Sequence, residues 1–200
     1  MLPLLALALA GPSLAAPVTL SLDLLHEAIG APLLDGLNVL RPPMHPGASA
    51  GVSGVWIDGR IVDVGPTARL GGWSHAEVAS LAFVSAGPLV RFALPADLSV
   101  QVQPLEVGFG LSFQAGDRYE IGPTGLVQAA DPPDPRLLLG AGLGLAWALP
   151  SSPLALTLSY RAGVERPAPA ALPVALLPHS TLGLGLAWTL GAAPGEQEAP

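Results

Sequence analysis

The chain contains no cysteine and no lysine. Without cysteine there is no disulfide, no thiolate metal site, no thiol nucleophile and no lipid anchor on an N-terminal cysteine. Its 8 basic residues are all arginine, none of them in a basic run, and the formal net charge is −7. That balance argues against nucleic-acid binding. Charge is scarce altogether, at 12% of residues, where a soluble domain usually carries about 25%. Metal-ligand spacing is missing as well. His26, His45, His75 and His179 form no i, i+4 pair, and no carboxylate clusters with them at ligand spacing. The glycine run Gly140-Ala-Gly142-Leu-Gly144 lacks the G-x-G-x-x-G spacing of a nucleotide loop and sits inside a strand pattern. No cofactor, metal or catalytic group is expected.

Apolar residues, glycine and proline are plentiful. Half of the 200 residues are hydrophobic, and there are 24 glycines and 23 prolines. The length suits one domain. The prolines fall mostly between apolar runs, as punctuation. From Leu137 every second residue is apolar and mostly large: Leu139, Ala141, Leu143, Leu145, Trp147, Leu149. From Gly140 the residues between them are small: Gly142, Gly144, Ala146, Ala148. The pattern returns at Leu182, Leu184, Leu186, Trp188 and Leu190. A period of two is a strand signal. One greasy face and one small, uncharged face do not suit a solvated sheet, whose outer face should be polar. They suit a closed barrel with its greasy side toward lipid.

The first sixteen residues read as a secretory signal peptide, with Leu2–Ala10 as the apolar core and Ser13–Ala16 as the cleavage region. Residues 17–190 are assigned to the barrel and 191–200 to a disordered acidic tail. Seven strands are expected: Ala48–Ile57, Arg60–Gly71, Val78–Leu94, Leu98–Phe113, Leu137–Leu149, Leu154–Val164 and Thr181–Leu190. Parity calls for an eighth, near the N-terminus. Val18–Leu24 alternates well, and Leu33–Leu40 is the rival; Leu20–Ile29 also reads as a short amphipathic helix. Asp58-Gly59 predicts a two-residue hairpin turn. Pro95-Ala96-Asp97 and Pro150–Pro153 are tight, whereas residues 116–136 and 165–180 are long. Short turns at one end and long loops at the other describe an outer-membrane barrel.

Registers follow from the alternation. Leu94 should meet Leu98, Phe92 Val100 and Arg91 Gln101. Across Pro150–Pro153, Trp147 should meet Leu156, Leu145 Leu158 and Leu143 Tyr160. A bulge is expected at Pro104, where the apolar parity switches, and a second at Gly87-Pro88. Trp56, Trp147 and Trp188 should share the periplasmic edge and Trp73 the external edge, as an interfacial aromatic girdle. Arg91, Gln101, Gln103, Glu106, Thr157, Ser159, Arg161 and Glu165 fall on the inward parity. They read as an interior polar network, structural or lining a narrow pore. A lipid-hydrolase reading of His179 and Ser180 fails, because adjacent strand residues point to opposite faces and no H-x-S-N signature is present.

The signal-like start, the Leu/Gly strands, the long loops and the ending Leu182–Leu190 together resemble the small outer-membrane β-barrel proteins of Gram-negative bacteria. That resemblance implies an all-β, antiparallel up-and-down transmembrane barrel, of eight strands on the parity above. It implies the outer-membrane bilayer and the barrel-assembly machinery as partners. The implied role is structural or surface-interacting. The alternatives are a small pore for ions or solutes, and a soluble periplasmic β-barrel or sandwich that binds lipid. A helical membrane protein is disfavoured by the prolines that interrupt Leu137–Tyr160 and Pro167–Ala193.

Overall fold

Eight antiparallel strands close on themselves in the computed structural model, in the order β1-β10-β9-β8-β5-β4-β3-β2. The structure describes residues 17–29, 45–75, 79–114, 118–122, 125–129, 132–167 and 176–190. The wall consists of β1 (Val18–Ile29), β2 (His45–Ser53), β3 (Val62–His75), β4 (Ala79–Leu94), β5 (Leu98–Gln114), β8 (Asp134–Ala148), β9 (Leu154–Pro167) and β10 (Leu177–Leu190). A separate hairpin, β6 (Arg118–Gly122) and β7 (Gly125–Ala129), lies between β5 and β8. The barrel is sealed by β1 against β10, from Val18↔Leu190 to Ile29↔His179. No helix is long and apolar enough to cross a membrane among the described residues. The segments 1–16, 191–200 and Leu33–Leu40 lie outside them.

The N-terminal strand is therefore Val18–Ile29, and the helical reading of Leu20–Ile29 is corrected. Leu20, Leu22 and Leu24 alternate with Ser21, Asp23 and Leu25, and the leucines at even positions face outward. Both sequence-derived hairpin registers occur. Leu94 pairs with Leu98, Phe92 with Val100 and Arg91 with Gln101. Trp147 pairs with Leu156, Leu145 with Leu158 and Leu143 with Tyr160.

Strand β5 carries one extra residue against both neighbours. Ala86↔Val107 gives way to Val90↔Val102 on one side, and Gln103↔Gly142 to Glu106↔Gly140 on the other. The bulge sits at Pro104, which has no N–H for the ladder. The second bulge expected at Gly87-Pro88 does not occur in β4, whose pairing with β3 runs unbroken through Pro66↔Pro88. Leu81 and Phe83 share the inward parity of Ser85, Leu89 and Arg91. They are apolar residues pointing inside, not residues out of phase.

Two more expectations differ. Asp58-Gly59 is not a two-residue turn between adjoining strands, since β2 ends at Ser53 and β3 begins at Val62. Past Ser53↔Thr67 the register slips by one residue to an isolated bridge, Ile57↔Val64. Pro66 cannot donate here and only accepts, from Gly54 N–H at 3.1 Å. The long connection after β5 contains the β6–β7 hairpin, centred on Gly122–Gly125. Its turn signal, Gly-Pro-Thr-Gly, is in the sequence, but each flanking run is only 5 residues long.

The tight turn Pro95-Ala96-Asp97 holds Ala96 at φ 64 and Asp97 at φ 58. A left-handed backbone costs an L-residue roughly 1–2 kcal/mol, and glycine avoids that cost while adding freedom to the unfolded chain. Ala96→Gly is therefore expected to raise unfolding stability by about 0.5–1 kcal/mol. Urea titration in micelles checks this, and a loss of stability would show that the turn is not strained.

Candidate functional site: the lumen of the barrel

In β8 and β10 the small residues face inward: Gly140, Gly142, Gly144 and Ala146, then Gly183, Gly185 and Ala187. The leucines between them face out, whereas Leu138 of β8 points into the lumen. The reason is space. An eight-stranded barrel has an interior just wide enough for side chains. A Cβ on Gly142 would stand 3.1 Å from Arg161 Cγ, and one on Gly51 would stand 3.2 Å from Arg69 Cγ. The glycines leave room for long polar side chains from the other strands.

Those side chains meet at Glu106. Arg69 donates to Glu106 Oε1 at 2.5 Å, and Arg161 Nη1 donates to Oε2 at 3.3 Å. Ser85 also donates to Oε1, and Arg161 donates to Gln103 Oε1. Arg69 stands on β3 and Arg161 on β9, four places apart in the eight-strand ring. Glu106 thus ties opposite walls, forming a crossbar through the lumen. Glu106 is within reach only because the Pro104 bulge moves it onto the inward parity of Gln101 and Gln103.

The crossbar separates two small cavities. Toward the tight-turn end is a polar space of ≈ 50 Å³, lined by Asp23, Arg91, Gln101 and Gln103 among others. Asp23 there accepts from Thr157 Oγ1 at 3.1 Å and Ser49 Oγ at 3.5 Å, and Arg91 donates to Ser53 Oγ. Toward the long-loop end is a space of ≈ 30 Å³ over an apolar plug of Leu25, Trp73, Leu81, Phe83 and Leu138. Arg69 lies over the Phe83 ring, 5.5 Å from its centroid. Spaces of this size hold a few waters and exclude a solute or an acyl chain. Beyond the plug, Arg136 Nη1 lies 4.0 Å from Glu165 Oε1 and Arg136 Nη2 3.3 Å from Asp134 Oδ2. Glu27 is fully buried there, 3.8 Å from His45 Nδ1.

The sequence-derived interior residues separate into layers. Gln103, Glu106 and Arg161 join the crossbar, Arg91 and Gln101 lie toward the tight turns, and Glu165 lies at the opposite end with Arg136. Participants missing from that set include Asp23, Glu27, Arg69, Ser85 and Arg136. Arg69 alternates with Thr67 on the inward parity of β3, a pattern present in the sequence. Its partners are far along the chain and leave no local signal.

Among the tryptophans, Trp147 and Trp188 are exposed on the outer face, at the tight-turn ends of β8 and β10, and Trp56 is exposed in the connection after β2, at the same end of the barrel. Trp73 is a correction: only 7% exposed, it points into the lumen. Its ring packs 5.1 Å from Phe83 and 5.5 Å from His179, centroid to centroid. It shares the inward parity of Arg69, and Gly47 opposite it supplies the space. His179 thus faces the lumen. Ser180, one residue on, faces outward and accepts from the Tyr160 hydroxyl at 3.2 Å.

No family model and no curated protein matches the chain in sequence. Several solved structures share its course, and they include small outer-membrane β-barrel proteins. Neisserial surface protein A is 10% identical over 87% of this chain and 96% of its own, with a TM-score of 0.49. Ail, the attachment invasion locus protein of Yersinia pestis, is 12% identical over 88% of this chain and 100% of its own, with a TM-score of 0.47. The outer membrane enzyme PagL is 15% identical over 85% of this chain and 98% of its own, with a TM-score of 0.37.

Removing one partner from a buried ion pair strands the other, at about 3–5 kcal/mol. Glu106→Gln leaves two guanidiniums facing no carboxylate in the crossbar. We expect it to lower unfolding stability by about 3 kcal/mol or more, well beyond Glu165→Gln at the rim. Denaturant titration of the two variants side by side checks this, and equal losses would mean that the crossbar carries no special weight. Gly142→Val should destabilise too, by pressing Arg161 off Glu106.

Proposed function

We propose that this chain is an integral outer-membrane β-barrel with a closed lumen, whose role is structural or lies in contacts made by its long-loop end. The observation that carries this reading is the segregation of charge across the wall. In the barrel strands Asp23, Glu27, Asp63, Arg69, Arg91, Glu106, Asp134, Arg136, Arg161 and Glu165 fall on the lumen parity. Arg166, at the long-loop end of β9, is the exception. The outer face carries exposed Leu22, Leu24, Leu70, Leu143, Leu145, Leu158, Leu184 and their neighbours. A soluble barrel would have to hold this apolar surface in water, far beyond the patch size that monomeric soluble proteins expose. In a bilayer the same belt costs nothing, and closure leaves no sheet edge unpaired.

On this reading the tight turns face the periplasm and Trp56, Trp147 and Trp188 lie at headgroup level. Residues 1–16 direct export, and the alternating β10 is the strand offered to the barrel-assembly machinery. The crossbar, the plug and the small cavities support a closed lumen over a pore. They also speak against a lipid-binding interior. His179 and Ser180 lie on opposite faces of β10, which supports a role without catalysis.

Single-tryptophan variants in bilayers of brominated lipid test the placement. Trp147 and Trp188 should be quenched, and Trp73 should keep its fluorescence. Loss of Trp73 emission, or none at Trp147, would overturn the inside-out assignment. In planar bilayers, protein whose insertion is confirmed by heat-modifiable mobility should give no conductance steps. Regular steps would favour the pore reading.

A further inference from the structure

The polar cavity between the crossbar and the tight turns has more donor charge than acceptor charge. Arg69, Arg91 and Arg161 line it, and Asp23 is its only lining carboxylate among the described residues. Glu106 stands across its far side with its oxygens already taken by Arg69, Arg161 and Ser85. Two carboxylates, Asp23 and Glu106, thus lie beside these guanidiniums within the lumen, and a third, Asp63, faces Arg91 across the ladder. Arg91 donates to a neutral group, the Ser53 hydroxyl. Asp63, opposite Arg91 in the ladder, sits at the mouth, where its Oδ1 accepts the Gly59 N–H at 3.2 Å.

A second observation points the same way. The Nε donors of Arg69 and Arg161 are buried without a protein partner, and Arg69 is only 7% exposed. A buried N–H needs an acceptor, and a cavity lined by three guanidiniums favours an anionic one. We infer that this cavity binds a single halide-sized anion, held by the Arg69, Arg91 and Arg161 side chains. The ≈ 50 Å³ of space suits a monoatomic anion with a water or two, and rejects a polyol carboxylate such as gluconate. Chloride is the abundant ion of that class. The inference concerns the lumen and holds whatever the loops contact.

The test uses the whole folded barrel in micelles, unfolded by urea at constant ionic strength in mixtures of sodium chloride and sodium gluconate. One site on the folded state alone multiplies the folded-to-unfolded ratio by 1 + [L]/Kd, so the ratio should rise about tenfold per decade of chloride above Kd. Bromide should substitute for chloride. Arg91→Gln should flatten the dependence. Crystals of the unaltered protein grown in bromide supply a readout that does not depend on how that variant folds. An anomalous peak between Arg69, Arg91 and Arg161 is expected there. Equal stability in chloride and gluconate, or a cavity holding only water in the bromide crystals, would overturn the inference.

Discussion

Glu106 holds the interior together. A narrow barrel must fill its lumen with side chains, and filling it with charge works only if the charges are paired. One carboxylate answers two arginines that project from walls four strands apart. Every feature of that layer serves the meeting. Pro104 forces the bulge that turns Glu106 inward, Ser85 donates to the carboxylate, and Gln103 accepts from Arg161. An unfilled or unpaired lumen would leave guanidiniums in a dry, low-dielectric tube, where their desolvation is most expensive.

The same constraint explains the alternation of leucine with glycine. Lipid on one side asks for bulk, because large apolar side chains fit the acyl phase. The lumen on the other side asks for the opposite wherever a long side chain crosses. So Leu143 faces out beside Gly142, which makes room for Arg161. Leu184 faces out beside Gly183 and Gly185, which lie against Ser159, Leu25 and Asp23. Toward the long loops the need reverses, and Trp73, Phe83 and Leu138 fill the lumen with apolar bulk. The interior is thus graded, polar near the tight turns and apolar below the long-loop rim.

This grading marks the limit of what the sequence discloses. The wall was legible, because alternation, turn chemistry and the parity switch at Pro104 are local signals. Hairpin registers were legible for the same reason, since one slip would set Leu against Gly. The lumen was legible only in part. Gln103, Glu106 and Arg161 announce themselves as polar residues inside long, clean strands. Arg69 sits between Gly65-Pro66 and Gly71-Gly72, where alternation is faint. Asp23 lies in a strand that competed with Leu33–Leu40 for its place. Trp73 misleads because a tryptophan near a strand end suits a lipid interface as well as a lumen. Only the parity of β3, continuous from Thr67 through Arg69, decides between them.

A closed, graded lumen also decides where activity can reside. A conducting path would have to break the Arg69–Glu106–Arg161 contact and displace an aromatic plug in the same event. Each step exposes buried charge or apolar surface, and the two are coupled through Arg69, which both bonds Glu106 and covers the Phe83 ring. A mobile gate is better built from contacts that fail separately. The interior of the barrel is filled with contacts that join its strands. Outside that filled interior lies the end without tight turns, where β4, β5, β8, β9 and β10 carry the chain past the plug and the β6–β7 hairpin falls between β5 and β8 in the chain. The crossbar ties together opposite walls of the barrel, and those walls carry that end.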